Sequence, residues 1–229
     1  MNMYGRASKA QLPELAPLIN HALLSPHVNE EEILQACDIS MHFGFTGLCI
    51  NLTSIPIARK GLGATRKTKL IAVIAFPFGA IPSSMKKAQA EWAASRGAEE
   101  LEVVPNFSAL KTGNSEIFSE ELAEICSLGL PVRVIIDRVN IPSVNLKLAI
   151  EASIDAGANG IQIGNGFGPP ISSNDVKELV SLSKGRCGIK AAGGIHKCEH
   201  AFDLVQAGAK LLGTSNGPEL IKAIRRNQT

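Results

Sequence analysis

Eight short runs rich in apolar and β-branched residues recur along the chain, and their alternation with helical patterns limits the fold more than any other feature: LINHA (18–22), TGLCI (46–50), LIAVIAF (70–76), ELEVVP (100–105), VRVIID (132–137), GIQIG (160–164), CGIKA (187–191) and KLLGT (210–214). Between them lie NEEEILQACDISMHF (29–43), SSMKKAQAEWAASRG (83–97), SVNLKLAIEASIDAG (143–157) and SNDVKELVSLS (173–183), where apolar residues return every third or fourth position. A strand, a helical crossover and another strand make a parallel pair. Eight such strands suffice to close a sheet on itself, and no linker or low-complexity stretch divides residues 1–229. The sequence therefore predicts a single-domain α/β chain folded as a (β/α)8 TIM barrel, with a doubly wound open sheet as the alternative. Asn29, Ser83 and Ser173 are read as N-caps, and Gly97, Gly157 and Gly208 fall where helices should stop.

In a barrel strand, side chains alternate between the helix-facing exterior and the lumen. Ile161 and Ile163 face out, so Gly160, Gln162 and Gly164 face in. The same parity turns Lys190, Glu102, Arg133 and Asp137 inward. A barrel interior is normally filled with branched apolar residues, and unpaired polar groups are costly there. These polar residues are either a self-satisfied buried network or the chemistry of a site at the strands' C-terminal ends.

The loops after the last two strands, AAGGIH (191–196) and GTSNGPEL (213–220), are small and glycine-rich, and the second enters a helix with Pro218 in its first turn. Backbone N–H groups of 214–217 near a positive helix end form a potential anion site. Gly193, Gly194 and Gly213 allow close approach, and Ser215 and Asn216 add side-chain donors.

The 23 basic and 21 acidic residues are spread evenly and give a formal charge of +2, so no basic stripe points to nucleic acid or an anionic membrane. The expected partner is a small molecule. Five cysteines, Cys37, Cys49, Cys126, Cys187 and Cys198, are scattered without CxxC spacing and fit the reduced thiols of a cytosol. The opening MNMYGRASKAQLPEL has no apolar core of a signal peptide, and no later run approaches the ~20 apolar residues of a membrane span. A soluble, cytoplasmic protein is expected, and assembly into a homo-oligomer stays open.

INHALLSP, GFTGLCIN, VIAFPFGA, ELEVVPNFSALKTGN, VRVIID, GIKAAGGIH and GTSNG resemble, in order and over nearly the whole chain, the deoxyribose-phosphate aldolases. The resemblance implies a class I aldolase barrel that joins acetaldehyde to glyceraldehyde 3-phosphate through a lysine Schiff base, with no metal and no cofactor. It also implies phosphate held at Gly193, Gly194, Ser215 and neighbouring backbone. The departures fall on the chemistry. Where the family carries its Schiff-base lysine, in a motif of the form I/V-K-T-S-T-G, this chain reads IQIGNG, with Gln162 in the lysine's place. Glu102 replaces the family's fourth-strand aspartate and Asn20 its first-strand aspartate. Lys190 matches the second active-site lysine.

An amide nitrogen does not add to an aldehyde, because its lone pair is delocalised into the carbonyl, whereas Gln162 keeps the capacity to hydrogen-bond a carbonyl or a hydroxyl. Lys190 then has three readings: a relocated nucleophile, a cation stabilising an enolate or anion while Glu102 moves protons, or a counterion for Glu102. Two functions remain. One is an aldolase-type enzyme acting on a small phosphorylated sugar or aldehyde through Lys190 and Glu102. The other is an inactive sugar-phosphate-binding or regulatory barrel. HKCEH (196–200) has a spacing that can hold zinc but starts outside the inward set, so no metal is assigned. Cys49 reads as a small buried hydrophobe near the site, Trp92 as core packed on the barrel, and Arg225 with Arg226 as a solvated helix end.

Overall fold

The computed structural model describes residues 14–64, 67–138 and 141–226. The leader reading falls almost wholly on residues 1–13, outside the described residues. In chain order the elements are β1 (Ile19–Leu23), α1 (Glu30–Phe43), β2 (Gly47–Ile50), α2 (Ile55–Leu62), β3 (Lys69–Ile74), α3 (Ser83–Ser95), β4 (Glu100–Val103), α4 (Phe107–Lys111), α5 (Ser115–Cys126), β5 (Val132–Ile136), α6 (Ser143–Asp155), β6 (Gly160–Ile163), α7 (Ser173–Ser183), β7 (Gly188–Ala192), α8 (Cys198–Gln206), β8 (Leu211–Thr214) and α9 (Gly217–Arg226). Each strand pairs in parallel with its neighbours, and β8 returns to β1, closing the barrel. The (β/α)8 expectation holds and the open sheet is excluded.

Strand parity separates two cores. Leu101, Val103, Val134, Ile136, Ile161 and Ile163 face the helices and are fully buried. Each such side chain contributes about 1.5–3 kcal/mol by leaving water. On the lumen side Cys49, Ile71 and Val73 form a separate small apolar cluster. The remaining lumen positions are largely polar, and the site is built there.

The helix ends follow local chemistry. Asn29 caps α1 in a full capping box with Glu32. The other two expected caps are corrected by one residue: α3 and α7 begin at Ser83 and Ser173, so the cap positions are Pro82 and Ser172. Ser172 has the extended backbone and accepts from the Asp175 N–H, while Pro82 offers no side-chain cap. Gly97, Gly157 and Gly208 take φ of 93°, 99° and 111° just beyond their helices, as expected of left-handed stops. The third strand ends at Ile74, short of its predicted limit, because Ala75 turns left-handed at φ 55°.

One feature of α3 differs from the sequence reading, and a second was not anticipated by it. Trp92 is 38% exposed, under the Arg96 guanidinium at 5.5 Å, instead of lying in the core. Its face of α3 turns outward because Ala90 and Ala93 provide the buried contacts. A fully buried ion pair, Lys86 Nζ to Glu121 Oε1 at 2.8 Å, ties α3 to α5. The Ser83 hydroxyl donates to Glu121 Oε2 at 2.6 Å and the Asn106 N–H to Oε1 at 2.9 Å. Arg225 is exposed as expected, with its guanidinium 5.6 Å above the Phe43 ring.

Candidate active site

A cavity of about 440 Å³ opens at the C-terminal mouth of the barrel. Its floor is made by Cys49, Val73, Glu102, Gln162 and Lys190, and its rim by the loops after β1, β6, β7 and β8. This is the end of the fold where side chains from separate strands converge and loops vary freely.

Glu102 on β4 and Lys190 on β7 meet across the lumen, Nζ to Oε1 at 2.5 Å, with both side chains 2% exposed. The pair ends a chain of alternating charge running up the barrel. Lys69 Nζ lies 2.5 Å from Glu100 Oε1, and Arg133 Nη1 lies 3.5 Å from both Glu100 Oε2 and Glu102 Oε1. Burial opposes ionisation of Glu102, but the charges of Lys190 and Arg133 and the hydrogen bonds from Lys190 and Cys49 outweigh it. The carboxyl is held below its ordinary range and stays ionised. The Cys49 thiol donates to Glu102 Oε2 at 3.2 Å. Burial and then the Glu102 charge push that thiol well above its ordinary value, so it remains protonated. Cys49 is thus both the buried residue expected and a donor to the central carboxylate.

Gln162 is paired in register with Lys190 and is 4% exposed. Its Nε2 donates to the Gly164 carbonyl at 2.9 Å, and Oε1 has no partner. Two glycines make this floor possible. A Cβ at Gly213 would come within 2.8 Å of Lys190 Cε, so the bare residue gives the lysine its path. A Cβ at Gly164 would run into the Ala192 carbonyl oxygen, and its φ of 83° suits glycine alone.

On the rim, Gly193 and Gly194 take φ of 111° and 71°, and Gly194 lies against Pro170, where a Cβ would come within 2.5 Å of the ring. Ser215 and Gly213 also line the cavity. The Asn216 N–H donates to Thr214 Oγ1 at 2.9 Å, and Thr214 Oγ1 donates to the Ile195 carbonyl at 2.9 Å. That amide is therefore engaged within the loop, which leaves fewer free amides than the run 214–217 suggested. Asn216 itself stands behind the lining residues, with Nδ2 2.9 Å from His196 Nδ1.

His196 lines the rim, a placement the sequence reading missed by weighing it only as half of a zinc pair. Its position directly after AAGGI on the seventh loop was the available signal. The other half, His200, sits with Nε2 2.7 Å from the Ile171 carbonyl and pins the sixth loop. Among the described residues no group of three or more His, Cys, Asp or Glu could hold a metal. Asn20 points into the lumen, in register with Gly47 and Gly213, but is not part of the cavity wall. Arg133 acts from below through Glu102, and Asp137 also lies away from the cavity. Above the floor, Phe167 stacks edge-on to Phe76 at 5.8 Å and lies 6.3 Å from Phe78, giving the mouth an exposed aromatic lip.

A parallel eight-stranded barrel with a lysine, a carboxylate and glycine-rich loops at one mouth has the architecture of the aldolase barrels. A solved aldolase structure superposes with a TM-score of 0.88 at 32% identity, covering 94% of this chain and 97% of that one. The tetrameric deoxyribose phosphate aldolase from Aeropyrum pernix superposes with a TM-score of 0.84 at 30% identity, covering 92% and 90%. A deoxyribose-phosphate aldolase of Trichormus variabilis is 38% identical over 209 residues, 91% of this chain and 92% of that protein. No family model matches the chain. The chain belongs to the deoxyribose-phosphate aldolase family. Among the described residues no helix is long and apolar enough to cross a membrane.

Proposed function

We propose that this protein is a carbon–carbon lyase acting on a small phosphorylated sugar or aldehyde, with Lys190 and Glu102 as its reacting groups. The observation that carries the reading is the 2.5 Å contact between Lys190 and Glu102 at the floor of a cavity whose rim is glycine-rich. In the cleavage direction, Glu102 takes the proton from the hydroxyl β to the substrate carbonyl. The bond between the α and β carbons breaks, its electron pair passes to the α carbon and the carbonyl oxygen, and the Lys190 ammonium holds the resulting oxyanion until the Glu102 carboxyl gives its proton to the α carbon, which releases the aldehyde and restores the carboxylate. Addition runs the same steps in reverse. The phosphate sits at Gly193, Gly194 and Ser215, with Gly213 opening the path for Lys190 and Asn216 bracing the loop through His196. Gln162 stands where the family's resemblance puts a Schiff-base lysine, and an amide leaves that position without a nucleophile. Asn20 supports the floor from below.

The chain acts in the cytoplasm on this reading, as a single barrel domain without metal or cofactor. Because the Aeropyrum pernix relative is tetrameric, assembly into a homo-oligomer accompanies the proposal. Cleavage of deoxyribose 5-phosphate is the test, with borohydride present in a parallel reaction read by intact mass. Turnover that disappears in Lys190→Ala and leaves no reduced adduct supports the paired ammonium. An adduct that disappears in that variant moves Lys190 to covalent catalysis. Thermal stabilisation by sugar phosphates without turnover leaves a binding protein in place of an enzyme.

A further inference from the structure

We infer that Gln162 is a binding point for a hydroxyl group, so the floor of the cavity takes its sugar phosphate in a hydroxylated form: a ring hemiacetal, a hydrate or a polyol. The inference rests on the sugar-phosphate reading of the cavity and adds the form in which the ligand is held.

The orientation of the amide decides the chemistry. Gln162 Nε2 lies 2.9 Å from the Gly164 carbonyl oxygen, and a carbonyl accepts only from the NH2 end. The oxygen end is therefore fixed on the other side. The side chain is 4% exposed and lines the cavity, and Oε1 has no partner. A buried acceptor without a donor is destabilising, so the position favours whatever brings a hydrogen to it.

The neighbouring donors are directed elsewhere. Lys190, the register partner of Gln162, directs its ammonium to Glu102 Oε1, and the Cys49 thiol donates to Glu102 Oε2. Arg133 reaches Glu100 and Glu102 through Nη1, while its Nε, also buried without a partner, lies one step lower in the barrel beside Gly160. The carboxylate gathers these donors, and the amide oxygen of a residue that lines the cavity is left without one. An aldehyde oxygen placed there would set acceptor against acceptor, whereas a hydroxyl donates. A ring-closed substrate bound this way has to open before the carbon–carbon step.

The test uses two ligands that lack a carbonyl and are not consumed: ribitol 5-phosphate, and 1-deoxyribitol 5-phosphate with a methyl in place of the hydroxymethyl group remote from phosphate. Calorimetry gives Kd for both on the wild type, Gln162→Met and Gln162→Glu. The wild type is expected to prefer ribitol 5-phosphate about tenfold, equivalent to about 1.4 kcal/mol. Gln162→Met should bring the ratio to about one by weakening only the hydroxylated ligand, and Gln162→Glu, which keeps an acceptor, should retain it. A ratio near one in the wild type overturns the inference even if Gln162→Met does not fold. So does an unchanged ratio in Gln162→Met. Binding with the expected ratios but no turnover of deoxyribose 5-phosphate leaves this assignment standing while the catalytic reading fails. Failure of the wild type to bind either ligand overturns both.

Discussion

Lys190 reaches across the barrel from β7 to within 2.5 Å of Glu102 on β4, and Gly213 on β8 leaves the space through which it passes. A methyl at that glycine would meet Lys190 Cε at 2.8 Å and Ala192 Cβ at 2.9 Å, so the far end of the lysine has to shift from its place beside Glu102. Gly213→Ala should fold, keep phosphate affinity and lose about 100-fold in turnover, the scale of a roughly 1 Å misplacement of a reacting group. Steady-state kinetics with a parallel phosphate titration would check it. Turnover unchanged in Gly213→Ala would show that the lysine's path does not matter.

The pH dependence of stability has a defined sign. Glu102 is held below its ordinary range in the fold, by the net effect of Lys190, Arg133 and hydrogen bonds over burial. Its contribution is therefore full above the unfolded carboxylate value of about 4.3 and is lost as pH falls through the lower folded value. Glu102→Gln should accordingly be less stable than the wild type at neutral pH, with the gap narrowing on acidification below about pH 4.3. Urea unfolding across that range measures it, and a gap that widened toward acid would contradict the assignment.

Cys49 should resist alkylation in the native protein at pH 8, because its thiol is buried, donates to Glu102 and is held well above its ordinary value. Peptide mass spectrometry after brief iodoacetamide treatment should find it unmodified until denaturant is added. Native labelling would mean that the floor opens to solvent.

The Lys86–Glu121 pair should behave as a structural tie remote from the chemistry. Lys86→Met leaves Glu121 charged and buried with one cation fewer, and should cost about 3–5 kcal/mol. The double variant Lys86→Met/Glu121→Leu should recover much of that loss, since neither charge then remains buried alone. Denaturant midpoints of the two variants make the comparison. Recovery does not occur if the glutamate's hydrogen bonds to Ser83 and Asn106 matter more than its charge.

The barrel was legible because strand parity is a local property. Each inward assignment for Glu102, Gln162 and Lys190 required only that Leu101, Ile161 and Ile189 face the helices, and all three do. The partnerships were legible only as alternatives or not at all. Pairing of Lys190 with Glu102, three strands away, was one of three open readings, and nothing in the sequence says that Gln162 points its nitrogen at Gly164, because both follow from closure of the barrel and the paths of loops. Lys86 and Glu121 escaped notice for the same reason, each reading as an ordinary charged helix residue until α3 and α5 packed together. The cap of α7 was displaced by one position because Ser172 and Ser173 are both good caps and only backbone geometry chooses, whereas α3 starts behind Pro82 with no side-chain cap. Asp137 shared the correct parity but lies away from the cavity, since it stands one residue beyond β5, where the strand's alternation no longer applies.

On the proposed function Lys190, in its pairing with Glu102, is the reacting centre for a phosphorylated sugar. Proton NMR of deoxyribose 5-phosphate in D2O with wild type and Lys190→Met tests it most directly. The wild type should release acetaldehyde carrying deuterium in its methyl group, while the variant should fall to background yet still bind inorganic phosphate. Equal cleavage by the two proteins, or none by a wild type that binds the sugar phosphate, would contradict it.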